Sequence, residues 1–194
     1  MTPVSVRRAK PRDATGIGLV HVRSWQATYR GHFPQEFLDG LDPKQRAAKW
    51  RRYLKESSDD RARLLVTEQN REIVGFANVG PCRDEQLTTA GEVRAIYLLP
   101  EYWDRGLGRE LMAAGLDALT SAGFPEAILW VLAANDRARR FYEAGGWIAD
   151  GAVKEDEGFG FPIREVRYRR ALPGEVRRSG YREDTAWQPR TGPT

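Results

Sequence analysis

Gly106 and Gly108 lie in a stretch, Glu92 to Leu111, where a run suited to a β-strand gives way to one suited to a helix. Val93 to Leu99 is β-branched, aromatic and aliphatic, and Pro100 closes it, as a strand meeting a turn would read. Leu107, Leu111, Ala114, Gly115 and Ala118 then recur at helical spacing. The first turn of a helix has N–H groups without intrahelical partners and carries the positive end of the dipole. Two residues without β-carbons let an anion close on those groups, so Arg105, Gly106, Leu107, Gly108 and Arg109 form a candidate phosphate cradle. The same letters also suit a plain turn that opens a helix. Two familiar phosphate loops do not fit. A dinucleotide fingerprint asks for a small residue at 111, where Leu111 stands, and no GlyLysSer or GlyLysThr follows for a nucleoside triphosphate.

A second stretch carries chemistry: AsnAspArgAlaArgArgPheTyrGluAlaGlyGlyTrp, from Asn135. Taken with LeuLeuProGluTyrTrpAspArgGlyLeuGlyArgGluLeu, it resembles the two signature motifs of the GCN5-related N-acetyltransferase family, and the likeness in element order runs over residues 4–170. The N-terminal half, SerTrpGlnAlaThrTyrArgGly to PheLeuAspGlyLeu, is more weakly similar to a branch holding bacterial polyamine acetyltransferases. One departure stands out: where the family loop carries Gln or Arg three residues before its first key glycine, this chain has Trp103.

The resemblance implies an α/β fold of mixed, mostly antiparallel sheet, about seven strands with a central parallel pair, and helices on both faces. It implies acetyl-CoA as co-substrate, the pantetheine arm inserted between two diverging strands, and an amine as acceptor. By family position Ile96 and Leu98 offer backbone bonds to the pantetheine and acetyl end, and Asn135 bonds the pantetheine or holds the loop. Glu92, at the outer start of the central strand, is by analogy the carboxylate that relieves the amine of its proton, with His21 or water as the other candidates. A surface ion pair of Glu92 with Arg94 or another basic side chain is the competing reading.

Acyl transfer from a thioester needs a bound and oriented donor, a neutral amine and a proton for the departing thiolate. Tyr142 suits the last task, because a free thiol titrates near 8.5 and a phenol near 10, so the proton transfer is close to balanced. The family resemblance singles out the same residue. Cys82, the one cysteine, has no adjacent His to activate it, so direct attack in a ternary complex is expected rather than a covalent acyl-enzyme. A non-catalytic acyl-CoA-binding module of the same fold is the alternative.

These residues need a frame to hold them. Val4 and Val6 alternate with basic residues as a first strand, and Asp13 reads as the N-cap of a helix with Ile17, Val20, Ser24 and Ala27 on one face. His21, Trp25 and Tyr29 sit beside that face and are candidates for an acceptor pocket; burial in the core is the competing use of such rings. A short helix around Phe37 and Leu41 and another opened by Asp42 and Pro43 follow. Arg63 to Thr67 and Glu72 to Val79 read as a hairpin, and residues 80–90 as a polar, mobile link to the central strand. AlaIleLeuTrpValLeu after Pro125 is a buried strand parallel to it, and strands at 147–151 and 163–170 flank an acidic loop at 154–158.

At 194 residues the chain suits one domain over residues 1–172, followed by a basic tail at 173–194. No apolar run reaches membrane-spanning length, and no signal-peptide pattern opens the chain, so a cytoplasmic protein without membrane partner is expected. A single cysteine forbids an internal disulfide and disfavours zinc, so no metal is expected. The net charge of +4 raises a nucleic-acid reading, but residues 164–194 hold eight Arg against four acids while residues 1–163 hold 23 of each sign. A neutral body argues against a nucleic-acid face. The expected partners are a small-molecule or peptide amine and a second copy in a homodimer, with the tail reading either as flexible or as an extension used against a neighbouring chain.

Overall fold

The computed structural model describes residues 4–173, so the expected tail lies outside the described residues but for Pro173. In chain order come β1 (Val4–Arg8), α1 (Ala14–Thr28), α2 (Gln35–Asp39), α3 (Pro43–Glu56), β2 (Arg63–Gln69) and β3 (Glu72–Pro81). There follow β4 (Gly91–Leu98), α4 (Leu107–Ser121), β5 (Glu126–Leu132), α5 (Asp136–Ala144), β6 (Ile148–Asp156) and β7 (Ile163–Ala171). The strands form one seven-stranded sheet in the order β1-β2-β3-β4-β5-β7-β6. Every neighbouring pair is antiparallel except β4 with β5.

Local chemistry sets the corners. The β2–β3 turn places Asn70 at φ 53° and Arg71 at φ 67°, the left-handed pair that a two-residue hairpin loop needs to match strand twist. Asp42 Oδ1 accepts from the Lys44 N–H at 2.7 Å and Pro43 opens α3, so an orphan amide is satisfied and a missing one costs nothing. Asn135 Oδ1 does the same for α5 through the Ala138 N–H at 3.1 Å.

The sheet is covered on both faces. Ile17 and Val20 of α1, with Trp50 and Leu54 of α3, pack on Val66, Val74 and Phe76. Met112, Leu116 and Leu119 of α4 and Tyr142 of α5 pack on Leu129, Val131 and Tyr168 from the other side. Helices α1 and α3 meet at Gly18, where an added Cβ would stand 2.5 Å from the Pro43 carbonyl oxygen and 2.7 Å from the Ala47 nitrogen. Both obstacles are backbone, which cannot rotate away. Gly18→Ala is therefore expected to destabilise the fold by about 1–3 kcal/mol, read as a lowered midpoint in urea with an unchanged slope.

Three local expectations are corrected. Asp13 stands at the N-cap position of α1, but with helical φ and ψ of −79° and −12° its side chain makes no cap bond to that helix. Its carboxylate is taken by Arg7 at 2.7 and 2.9 Å and by the Lys10 N–H at 2.7 Å, closing the 3₁₀ turn before the helix. The acidic stretch at 154–156 belongs to β6 rather than to a loop, because Gly151 at φ 84° and a register shift between Ala149 and Val153 let the strand bulge and resume. Residues 80–90 are held rather than loose. Arg83 grips Glu92, and Asp84 lies 3.8 Å from Arg167.

Candidate active site

The central parallel pair is barely a pair. Only Gly91 with Ala127 and Glu92 with Ile128 are in register between β4 and β5, and beyond them β5 stays with β7 as far as Leu132 opposite Glu165. The two strands thus part toward their C-terminal ends. On its other side β4 remains in ladder with β3, and the Leu99 N–H bonds the Val74 carbonyl at 2.9 Å. In an antiparallel ladder the residues that exchange backbone bonds alternate. Tyr97 and Leu99 consequently bond toward β3, while the N–H and C=O groups of Ile96 and Leu98 point into the opening. A register shift between Asn78 and Val79 bulges β4 just before this point.

Past Pro100 the chain turns into the glycine loop. Gly106 is left-handed at φ 85° and N-caps α4 without a side chain; its carbonyl takes the Arg109 N–H at 2.9 Å, which leaves the Leu107 and Gly108 amides at the helix start uncapped. Gly108 is different: a Cβ there would meet Leu98 and Phe141 at an ordinary 3.4 Å. Arg105 and Arg109 flank the loop, Arg105 lying over the Tyr102 ring at 5.4 Å. An anionic, extended ligand with hydrogen-bonding groups at strand spacing fits this set of donors.

Trp103, the departure from the family pattern, has two contacts. Its Nε1–H donates to the Leu98 carbonyl at 3.0 Å, and the Arg137 guanidinium lies 3.8 Å over its ring. Arg137 also reaches both oxygens of Asp104 at 3.2 Å. One acceptor at Leu98 is therefore engaged within the chain, leaving the Leu98 N–H and both groups of Ile96 for a ligand.

Tyr142 lies on α5, buried in the core shared with α4 and packed beside Trp147 and Tyr168. Burial, with the Tyr97 phenol beyond it, pushes its pKa well above the ordinary value, so it stays a phenol throughout the neutral range. Tyr97 approaches from the other face and shares a 3.3 Å hydrogen bond with the Tyr29 hydroxyl. Sequence reasoning missed Tyr97; strand alternation, which opposes its side chain to those of Ile96 and Leu98, was the available signal. Trp25 and Tyr29 join Phe33, Phe37, Phe159 and Phe161 in one aromatic cluster across the mouth. Tyr29 stacks on Phe33 at 4.5 Å between centroids.

His21 sits deeper. Its Nδ1 accepts from the Trp50 Nε1–H at 3.0 Å, which leaves the proton on Nε2, and the ring stacks on Tyr97 at 5.6 Å. Burial, with the positive charges of Arg46 and Lys49, lowers its pKa to about 3. Its one basic nitrogen is thus already a hydrogen-bond acceptor inside the fold.

Glu92 is 3% exposed. Arg83 binds it with three donors: the backbone N–H at 3.1 Å, Nε at 2.9 Å and Nη2 at 2.5 Å. Burial alone would raise the carboxyl pKa, but these bonds and charges together hold it below the usual value. The partner anticipated from the sequence, Arg94, stands only at the edge of reach at 4.0 Å. Asn135 is buried at the start of α5 with its oxygen spent on the cap, leaving its amide N–H groups. Burial raises the Cys82 thiol pKa, which disfavours the thiolate. Among the described residues no cluster of His, Cys, Asp and Glu could hold a metal, and no helix is long and apolar enough to cross a membrane. A separate cleft of about 750 Å³ between the start of α1 and the β2–β3 turn is lined by charges paired with one another, Arg7 with Asp13 and Arg23 with Glu101.

Comparison with known proteins agrees with this geometry. Residues 22–147 match the profile of the Acetyltransferase (GNAT) family. An uncharacterized N-acetyltransferase, YuaI, of Bacillus subtilis is 37% identical over 141 residues, covering 73% of this chain and 78% of that protein. An uncharacterized N-acetyltransferase of Archaeoglobus fulgidus is 31% identical over 144 residues, 72% of this chain and 89% of the other. In fold, the PaiA N-acetyltransferase of Thermoplasma acidophilum, solved in complex with coenzyme A, superposes with a TM-score of 0.71 at 18% identity, over 88% of this chain and 99% of that one. The chain belongs to the GNAT family of acetyltransferases.

Proposed function

We propose that this protein transfers the acetyl group of acetyl-CoA to a primary amine by direct attack in a ternary complex. The observation that carries the reading is the opening between β4 and β5, where Ile96 and Leu98 present unpaired backbone groups in line with the glycine loop. The diphosphate would rest on the amides from Arg105 to Gly108 beside the Arg109 side chain, the Arg109 N–H being bonded to the Gly106 carbonyl, and the pantetheine arm on Ile96, the Leu98 N–H and the Asn135 amide. These contacts fix the thioester against the strand, and positioning of this kind supplies several kcal/mol of barrier reduction.

Tyr142 gives its proton to the departing sulfur. The environment that raises the phenol pKa raises that of a thiol beside it as well, since both anions lose solvation, so the exchange stays near balance. Glu92, ionised at neutral pH and pinned by Arg83, takes the proton of the incoming ammonium through water. His21 has no free basic nitrogen for that task and, with Trp25, Tyr29 and Tyr97, shapes the wall of the acceptor site. The aromatic mouth favours an amine carried on an apolar or aromatic group over a small hydrophilic one.

The test is thiol release with acetyl-CoA and a panel of primary amines, products identified by mass, beside calorimetry with coenzyme A. Binding without release for any amine would favour a non-catalytic acyl-CoA module; no binding would end the assignment. Gly106→Ala tests the cradle. An L side chain in the left-handed backbone at φ 85° costs about 1–2 kcal/mol, and a shift of this residue out of that region displaces the amides that follow it. Coenzyme A affinity should fall about tenfold, with a lowered unfolding midpoint beside it.

A further inference from the structure

Position 103 carries no cation or amide side chain, yet a cation from another element stacks on the residue that stands there. Arg137, the second residue of α5, crosses to the glycine loop, lies 3.8 Å over the Trp103 ring and meets the Asp104 carboxylate at 3.2 Å. Trp103 is itself fixed, through its Nε1–H, to the Leu98 carbonyl at the end of β4. Stacking on indole holds a guanidinium flat and forfeits little of its hydrogen-bonding fork, so the group is ready for an anion. Its present partner is a weak competitor: the Asp104 side chain is 90% exposed and that of Arg137 46%, and exposed ion pairs contribute little. Asp104 is also a non-glycine residue in the left-handed region, at φ 59°, directly before the loop amides.

We propose that Arg137, presented by Trp103, is a phosphate-binding and cofactor-selecting residue that exchanges the Asp104 carboxylate for a phosphate oxygen of the nucleotide donor. This rests on the acetyl-CoA reading above and adds to it the group that replaces the missing loop cation. Trp103 and Arg137 then act as one unit: the indole sets the position and the guanidinium supplies the charge.

The test compares coenzyme A, by calorimetry, with acetyl-pantetheine, which has no nucleotide phosphates, by steady-state turnover. Arg137→Gln is expected to weaken coenzyme A binding about tenfold and to flatten its salt dependence. The KM for acetyl-CoA should rise with kcat nearly unchanged, and acetyl-pantetheine turnover should not move. Asp104→Asn is the decisive variant, since Asn accepts the left-handed backbone at least as well. It is expected to tighten coenzyme A binding a few-fold by removing the competitor. If the Arg137–Asp104 contact only braces the loop, Asp104→Asn will instead weaken binding and Arg137→Gln will impair both donors equally, and either result overturns the proposal. Wild-type protein that fails to bind coenzyme A would remove the underlying reading; wild-type binding with an indifferent Arg137→Gln variant removes this proposal alone.

Discussion

Tyr142→Phe is expected to lower kcat by about 10²-fold or more, the usual contribution of a positioned general acid, while the KM for acetyl-CoA changes little. The hydroxyl is the only atom removed, and the ring that packs against Tyr168 and Trp147 remains, so folding should be preserved. Because the phenol stays protonated well past neutrality, the residual activity of the variant should lack no alkaline limb belonging to Tyr142 in the neutral range. Single-turnover measurement of thiol release is the check, and an unchanged rate would assign the proton to water.

Acid should unfold this protein earlier than its carboxylates alone would dictate. Burial, with Arg46 and Lys49 beside it, holds the folded-state pKa of His21 down to about 3, against about 6.5 for the free side chain. A depressed histidine pKa means that the unfolded chain binds the extra proton first. Its contribution to stability is therefore complete above pH 6.5 and is lost as pH falls from there toward 3. The loss is about 1.4 kcal/mol for each unit, hence about 3 kcal/mol between pH 6.5 and 4. Asp13, held below the usual carboxylate range by Arg7, keeps its own contribution until lower pH. Urea unfolding at a series of pH values should show this slope in the wild type and its absence in His21→Gln, which can still accept from Trp50. A pH-independent midpoint above pH 4 would contradict the burial of a neutral imidazole.

Much of this was legible in the letters because it depends on neighbours in sequence. The strand ending at Pro100, the glycines that open α4 and the Asn135 cap are local devices, read from spacing alone and present at their expected places. What was hidden depends on distant partners. Asp13 looked like a cap until Arg7, six residues earlier but one strand end away, claimed its carboxylate. Glu92 reads in the sequence as a base or as the partner of Arg94 or another basic side chain, and the partner comes from a link that reads as loose, at Arg83. His21 and Trp25 could have lined a pocket or filled a core; Trp50, from another helix, tied His21 into the core side. Tyr97 was passed over because a tyrosine in a strand carries no local sign that its hydroxyl will meet another phenol.

The two-rung contact of β4 with β5 has a mechanical consequence. The sheet is in effect two leaves, β1 to β4 and β5 to β7, hinged where Gly91 and Glu92 face Ala127 and Ile128, with Glu92 clasped by Arg83 at the spine. Whatever lies along the exposed margin of the first leaf serves as the absent rung between them. A ligand that bonds Ile96 and Leu98 would mend the sheet as it is captured, and the bound protein is expected to be stiffer along that seam than the empty one.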